Sequence, residues 1–536
     1  MDKKLDNKLS VQSKTQTFQK FSASGIMLTV GIITATIGLL AIFITVYFDL
    51  VINFASEKCQ FKIDNIFLNI AFSVISLGVL YLFYRILPKI NKYILLAIAL
   101  AFTLILGLWW VNLIGFKPIS DQSMVIYCGE KLVENDLSTI LSPGEYLNRN
   151  PHQLGFSLYI MTIFRFLGEN SVLTLQILNV IYSTVSTFLL YLICKEIFKE
   201  ETVQKICLLL ISFFSIYWAI FSVHVYGNIP GLMFGLIAFL FTLKFLDNNK
   251  IYYLAITGMS IALAYLLKSN YEIFACAVII VLFLYFLQTY KKQAIAGTLL
   301  VLLCIFTFKT YVYKHVENGT GYSLSEGVPM ISYIYMGIAE PVTLTPGWYT
   351  ADVETIYNQS GFNKEESAKI TSELLKNRLI FFTENPRYVW NFFTSKLQTT
   401  WLNPTFQVFW CSTPSTMMTL DAEYNLRIVS NPIIADVICG DIQKNLEQSM
   451  DIFQIITFMS AGFALFSLFK TGSLKETLLP LTFLGGFIFH IIWETKSIYV
   501  IQYFYIMLPF SAYGIYKLFT ILDKKINEIL EKSKTA

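Results

Sequence analysis

The chain is short of charge. Only 14% of its 536 residues are Asp, Glu, Lys or Arg, where a soluble domain carries about a quarter. That shortage excludes an ordinary water-soluble globular domain. Histidine is scarcer still, at four: His152, His224, His315 and His490. They are scattered, with no HExxH and no Cys/His pairing, so no familiar zinc spacing is present. No basic cluster marks a nucleic-acid-binding face, and no clear internal repeat divides the chain. What is abundant is apolar: 55% hydrophobic and 16% aromatic, led by 46 Phe and 31 Tyr. Such a composition suits lipid contact and aromatic belts at a membrane surface. It predicts an all-α, polytopic integral membrane protein.

Windows of about 20 apolar residues mark membrane spans. They fall at 24–48, 64–84, 93–115, 171–194, 204–225, 229–246, 251–268, 271–290, 293–313, 450–470, 476–493 and 498–520. The first 21 residues are polar and carry Lys3, Lys4, Lys8, Lys14 and Lys20. The apolar run after them is too long for a signal peptide and has no obvious small-residue cleavage site, so it reads as an uncleaved first span. With this tail in the cytoplasm, the even-numbered turns hold Arg85, Lys89 and Lys92; Lys195, Lys199 and Lys205; Lys244 and Lys250; Lys291 and Lys292; Lys470 and Lys475. The final tail holds Lys524, Lys525, Lys532 and Lys534. Every short cytoplasmic turn is then basic, as the positive-inside rule requires.

The opposite, outer face receives two long segments, about 116–170 and 314–449. Pro151 to Gly168 is apolar but short, and reads as a helix lying at the interface. In the second segment Asn363 is placed to cap a helix, with Glu366 as its partner. Ala368, Leu375, Leu379 and Phe382 share a face of that helix. Tyr388, Trp390, Phe392, Phe393 and Trp401 then suit the headgroup level. A membrane-surface collar and direct substrate contact are the two readings of these helices. Of eight cysteines, Cys59, Cys128, Cys411 and Cys439 fall outside. Cys411 and Cys439 are close enough in sequence for a disulfide, with free thiols the alternative. Cys194, Cys207, Cys276 and Cys304 read as small buried apolar residues.

Polar residues collect at the outer ends of the spans. The sets are Ser120-Asp121-Gln122, Arg149-Asn150-Pro151-His152-Gln153, His224-Val225-Tyr226-Gly227-Asn228, Lys268-Ser269-Asn270-Tyr271-Glu272, and His490 through Glu494, Lys496 and Tyr499. A carboxylate at a membrane edge is costly unless it has work to do, which singles out Asp121. A transporter concentrates polar groups near the midplane and a channel along a pore; here they share one surface. A carboxylate to take a hydroxyl proton, cations to hold a phosphate and aromatic faces for a sugar ring together suit glycosyl transfer from a lipid phosphate.

These residues resemble a known family. Ser120-Asp121-Gln122 after an early span resembles the first-loop acidic motif of GT-C-fold glycosyltransferases. Tyr146 through Gly155 is similar to the Pro/Gly-bearing stretch of the family-39 and aminoarabinose-transferase branch. Glu494-Thr495-Lys496-Ser497-Ile498-Tyr499, with Pro509 in the last span, is similar to the E-x-K/R-x-x-Y ending of many Gram-positive members. Asn385-Pro386-Arg387-Tyr388 with Lys396, Trp401 and Pro404 resembles their last outer segment. The resemblance covers roughly 93–520. It implies a polyprenyl-phosphate sugar as donor, a cell-envelope glycan or teichoic-type acceptor, and in-line attack with inversion. Asp121 would be the base. Lys268, and then Arg149 and Lys496, would hold the donor phosphate. His152, Gln153, His224, Tyr226, Asn228, Glu494 and Tyr499 would line the substrate site. Relatives often carry a second acidic residue where this chain has Asn228, so no metal ligands are assigned and a divalent cation stays open.

The resemblance divides the chain into a basic cytoplasmic tail (1–23), two extra spans (24–92), a GT-C-like core with its outer loop (93–313), an extracellular segment (314–449), C-terminal spans (450–521) and a cytoplasmic tail (522–536). Plainer roles stand beside these. Asp121 is also placed to cap the next helix through the Ser123 and Met124 amides. Lys268 and Lys496 can snorkel to the interface, Arg149 can pair with Glu145, and the histidines can serve as interfacial hydrogen-bonding groups. A lipid-linked-sugar flippase and a non-catalytic envelope scaffold are the competing functions.

Overall fold

The computed structural model describes residues 2–48, 59–168, 171–321, 324, 327–341, 345–409 and 431–535. The pairing considered for Cys411 and Cys439 lies outside the described residues. Among those described, ten helices are long and apolar enough to cross a membrane. They are Ser22–Phe43, Ile66–Lys89, Lys92–Ile114, Val172–Ile197, Glu201–Phe221, Asn228–Asn248, Ser269–Thr289, Lys292–Gly319, Pro432–Leu468 and Leu474–Ile492. A shorter apolar helix, Ile251–Leu267, stands between the sixth and seventh. The last expected span is split into Ile501–Ile506 and Leu508–Thr535. The protein is therefore an all-α membrane fold in which each of the twelve expected apolar segments holds a helix, the first only as far as Phe43.

Local chemistry sets the helix starts. Asn65 accepts from the amides of Phe67 and Leu68, Asn91 from Tyr93, and Ser171 from Thr174, each satisfying a donor that the first turn leaves free. Ser473 and Glu476 form a reciprocal capping box. The split in the final span follows from Pro509, which has no N–H and whose ring clashes with the preceding turn.

Two expectations change. The first span was expected to run to residue 48, but its helix stops at Phe43. Ile44–Phe48 then forms a strand, antiparallel to Cys59–Ile63, with Ile44 opposite Ile63. This β-branched, aromatic run finds partners at the helix end: Val46 donates its amide to Leu402 O (3.1 Å), and Asn403 Nδ2 donates to Val46 O (2.7 Å). Cys276, expected inside, is exposed. Apolar side chains facing outward are normal where lipid is the solvent, and the Ile66–Lys89 helix shows this most, with little of it buried.

The first helix packs against Asp441–Leu468, which packs in turn against Leu508–Thr535. A smaller hydrophobic cluster lies under the 116–170 segment, where the helices Asp121–Val133 and Leu154–Leu167 meet. Asn363 caps the helix Lys364–Glu384 through the amide of Glu366 (2.9 Å). The side of that helix that packs inward carries Ser367, Thr371 and Arg378, while Leu379 and Ile380 are exposed, as is Trp390 on the next helix.

Candidate active site

Beyond the helix Lys92–Ile114 the chain reaches Ser120, a non-glycine residue at φ 52°. Such backbone is costly and collects at functional sites. Asp121 opens the helix Asp121–Val133 and is exposed. The Met124 amide bonds Ser120 O (3.2 Å), and the Ser123 hydroxyl bonds the same carbonyl (2.7 Å). The Met124 amide is thus taken from the capping role considered for Asp121. Asp121 Oδ2 instead accepts from Tyr226 Oη at 3.2 Å.

Buried amides bring Tyr226 to this place. In the span Val172–Ile197, Gln176 Nε2 donates to Phe116 O (3.1 Å) and Val223 O (3.3 Å). One turn on, Asn179 Nδ2 donates to Ser222 O (3.0 Å) and His224 O (3.1 Å). Gln122 Oε1 accepts the Val225 amide (3.0 Å). Gly227 then turns the chain at φ 77°, where a Cβ would lie 2.2 Å from Leu267 O. Only glycine fits both that conformation and that contact. The Tyr226 hydroxyl accepts from Gln153 Nε2 (2.8 Å) and lies 3.3 Å from Tyr146 Oη. Burial, and then Asp121, push its phenol well up, so it remains a protonated donor to the carboxylate.

Lys268 follows the helix Ile251–Leu267 with extended backbone and is 8% exposed, so its ammonium does not snorkel to solvent. Nζ lies 3.7 Å from the Tyr226 ring centroid and 5.8 Å from that of Tyr499, a cation–π arrangement. Burial pulls the ammonium down to about 8, with Asp121 and Glu494 opposing.

The remaining wall comes from the 314–449 segment and the 493–499 loop. Arg149 pairs with Glu354 rather than Glu145. Tyr333 Oη donates to Asn150 Oδ1 (3.0 Å), and its ring stacks on Trp493 (5.8 Å, 6°) with the His152 edge 5.8 Å away. The Tyr333 phenol is held up by burial and then by Glu494, Asp121 and Glu354, with Arg149 opposing. Lys496 Nζ lies 5.4 Å from the Trp348 ring centroid. His490 stacks near Tyr499 (6.2 Å), and His224 lies on Phe221 (4.9 Å) with Tyr226 edge-on at 6.0 Å. Asn228 is buried, and its Oδ1 has no hydrogen-bond partner among the described residues. His315 instead stacks on Tyr311 (6.0 Å) within the Lys292–Thr320 helix. Among the described residues no three His, Cys, Asp or Glu side chains converge as metal ligands.

No curated protein matches the chain. A similar solved structure is the archaeal oligosaccharyltransferase AglB from Archaeoglobus fulgidus, in complex with an inhibitory peptide and a dolichol-phosphate. The two share 13% identity over 83% of this chain and 52% of that one, with a TM-score of 0.42. This chain thus spans about half the length of AglB. Residues 156–312 match the family model of dolichyl-phosphate-mannose-protein mannosyltransferases. Over that stretch the chain is similar to the mannosyltransferase family. The matched part, less than half of the chain, contains Tyr226, Asn228 and Lys268; Asp121 and Glu494 lie outside it.

Several residues of this site were not singled out from the sequence. Gln176 and Asn179 had a readable signal, since amides inside an apolar span need partners. Tyr333 and Glu354 had none, because only the folded chain brings them to Asn150 and Arg149; Tyr146 and Trp493 stood inside the stretches 146–155 and 490–499 without a role of their own.

Proposed function

We propose that the protein moves a sugar from a polyprenyl-phosphate donor to a hydroxyl of a cell-envelope glycan or teichoic-type polymer, with inversion. The observation that carries this reading is the Asp121–Tyr226–Lys268 arrangement: a carboxylate and a buried ammonium on either side of one tyrosine. Asp121 takes the acceptor proton as the acceptor oxygen attacks the anomeric carbon. The carbon–oxygen bond to phosphate breaks on the opposite face, and its electron pair stays on the phosphate. Lys268 offsets that charge, in a pocket where burial strengthens the interaction. Lys496 is a second phosphate contact. Arg149 reaches the phosphate by exchanging its bond with Glu354. His152, Gln153, Tyr226, Asn228, Glu494 and Tyr499 contact the sugars, with His224 behind Tyr226.

Both termini lie in the cytoplasm and the site faces outward, a reading supported by the basic turns. The spans within 24–92 are an addition to the core of 93–313. Purified protein in nanodiscs, given polyprenyl-phosphate sugars and envelope polymers, tests the proposal. The expected product is a new glycosidic bond with inverted anomeric configuration and free polyprenyl phosphate. Passage of the lipid-linked sugar across a vesicle membrane with no new glycosidic bond would establish the flippase reading instead.

A further inference from the structure

Lys396 lies in the helix Pro386–Trp401, outside the groups assigned to chemistry, and is 1% exposed. A buried lysine is rare unless its charge is compensated. Its Nζ donates to three backbone carbonyls: Gly337 O (2.6 Å), Ile491 O (2.8 Å) and Trp493 O (2.8 Å). An ammonium has three donors and no acceptor, so its whole capacity is used. The first carbonyl closes the helix Met330–Ile338; the others end Leu474–Ile492. Both are helix ends that leave carbonyls without partners in the helix.

The surrounding backbone is packed to the same purpose. A Cβ on Gly337 would lie 2.1 Å from Ile492 O, and one on Gly347, at φ 79°, would lie 2.4 Å from Lys396 Cε. Thr495 donates its amide to Gly347 O (2.8 Å), and Thr400 Oγ1 donates to Thr495 Oγ1 (3.3 Å). The outer segment thus grips the stretch that carries Trp493, Glu494, Lys496 and Tyr499. We infer that Lys396 is a positioning residue: its ammonium pins the 491–495 backbone to the outer segment, and so sets where Glu494, Lys496 and Tyr499 stand for donor binding. The inference deepens the proposed function and rests on it for the identity of the donor.

Three full-length forms in nanodiscs test it: wild type, Lys396→Met and Thr400→Val, the last a milder change on the same stretch. Amide hydrogen exchange reads the pin without reference to activity. In Lys396→Met, exchange at 491–499 and near Gly337 speeds up by about ten-fold or more, while the distant helix cores stay protected. The KM for a polyprenyl-phosphate sugar rises roughly ten-fold with a smaller change in kcat, because a displaced binding loop loses ground-state contacts. Thr400→Val shows the same pattern more weakly, and carries the test should Lys396→Met not fold. Unchanged exchange at 491–499 in the folded variants, or a loss confined to kcat, overturns the inference. A wild type that transfers no sugar would defeat the proposed function, leaving the exchange result to decide the pin by itself.

Discussion

At the scale of residues, Lys268 joins the site to pH. Its ammonium is charged below about 8 and neutral above, and only the charged form attracts a phosphate. Above that pH, kcat/KM for the donor is expected to fall about ten-fold per unit, since this parameter reports groups of the free enzyme. Lys268→Arg removes the fall, because a guanidinium stays charged throughout; the same fall in the Arg variant would contradict the assignment. Asp121 and Lys268 were legible in the sequence because an ionisable group at a span end is expensive wherever it stands. Glu354 and Tyr333 were not. Both sit in a polar outer segment, where a carboxylate or a tyrosine costs nothing by itself. Arg149 shows the same limit: its neighbour in sequence, Glu145, was the natural partner, and the fold supplies Glu354.

At the scale of elements, the spans were readable because an apolar run of about 20 residues is a property of the sequence alone. The departures occur where that rule is silent. The end of the first span reads as apolar helix or as strand equally well, and hydrogen bonds to Leu402 and from Asn403 favour the strand. Pro509 divides the last span, which composition alone would leave continuous. Gly227 couples an element junction to the site, since its turn carries Tyr226 on one side and Asn228 on the other. Gly227→Ala introduces both left-handed strain and a contact with Leu267 O, a change of roughly 2–4 kcal/mol. The expected result is a thermal midpoint lowered by several degrees, together with loss of transfer. A variant with wild-type melting and wild-type rates would show that the turn is not a constraint.

At the scale of the whole molecule, sidedness matters most, since all the proposed chemistry lies at one end of the bundle. Exposed Lys376 belongs to the outer segment and exposed Lys524 to the C-terminal tail. Replaced singly by cysteine and compared with the unsubstituted chain, the first is expected to react with a membrane-impermeant maleimide on intact cells. The second is expected to react only after lysis. Labelling of both from outside would invalidate the topology. The carboxylate at the span end carries the central claim, and single-turnover sugar transfer by purified wild type and Asp121→Asn tests it most directly. Loss of the acceptor-activating base should slow the chemical step by roughly 100-fold or more, with donor binding largely retained. Equal turnover by the two proteins would contradict the claim.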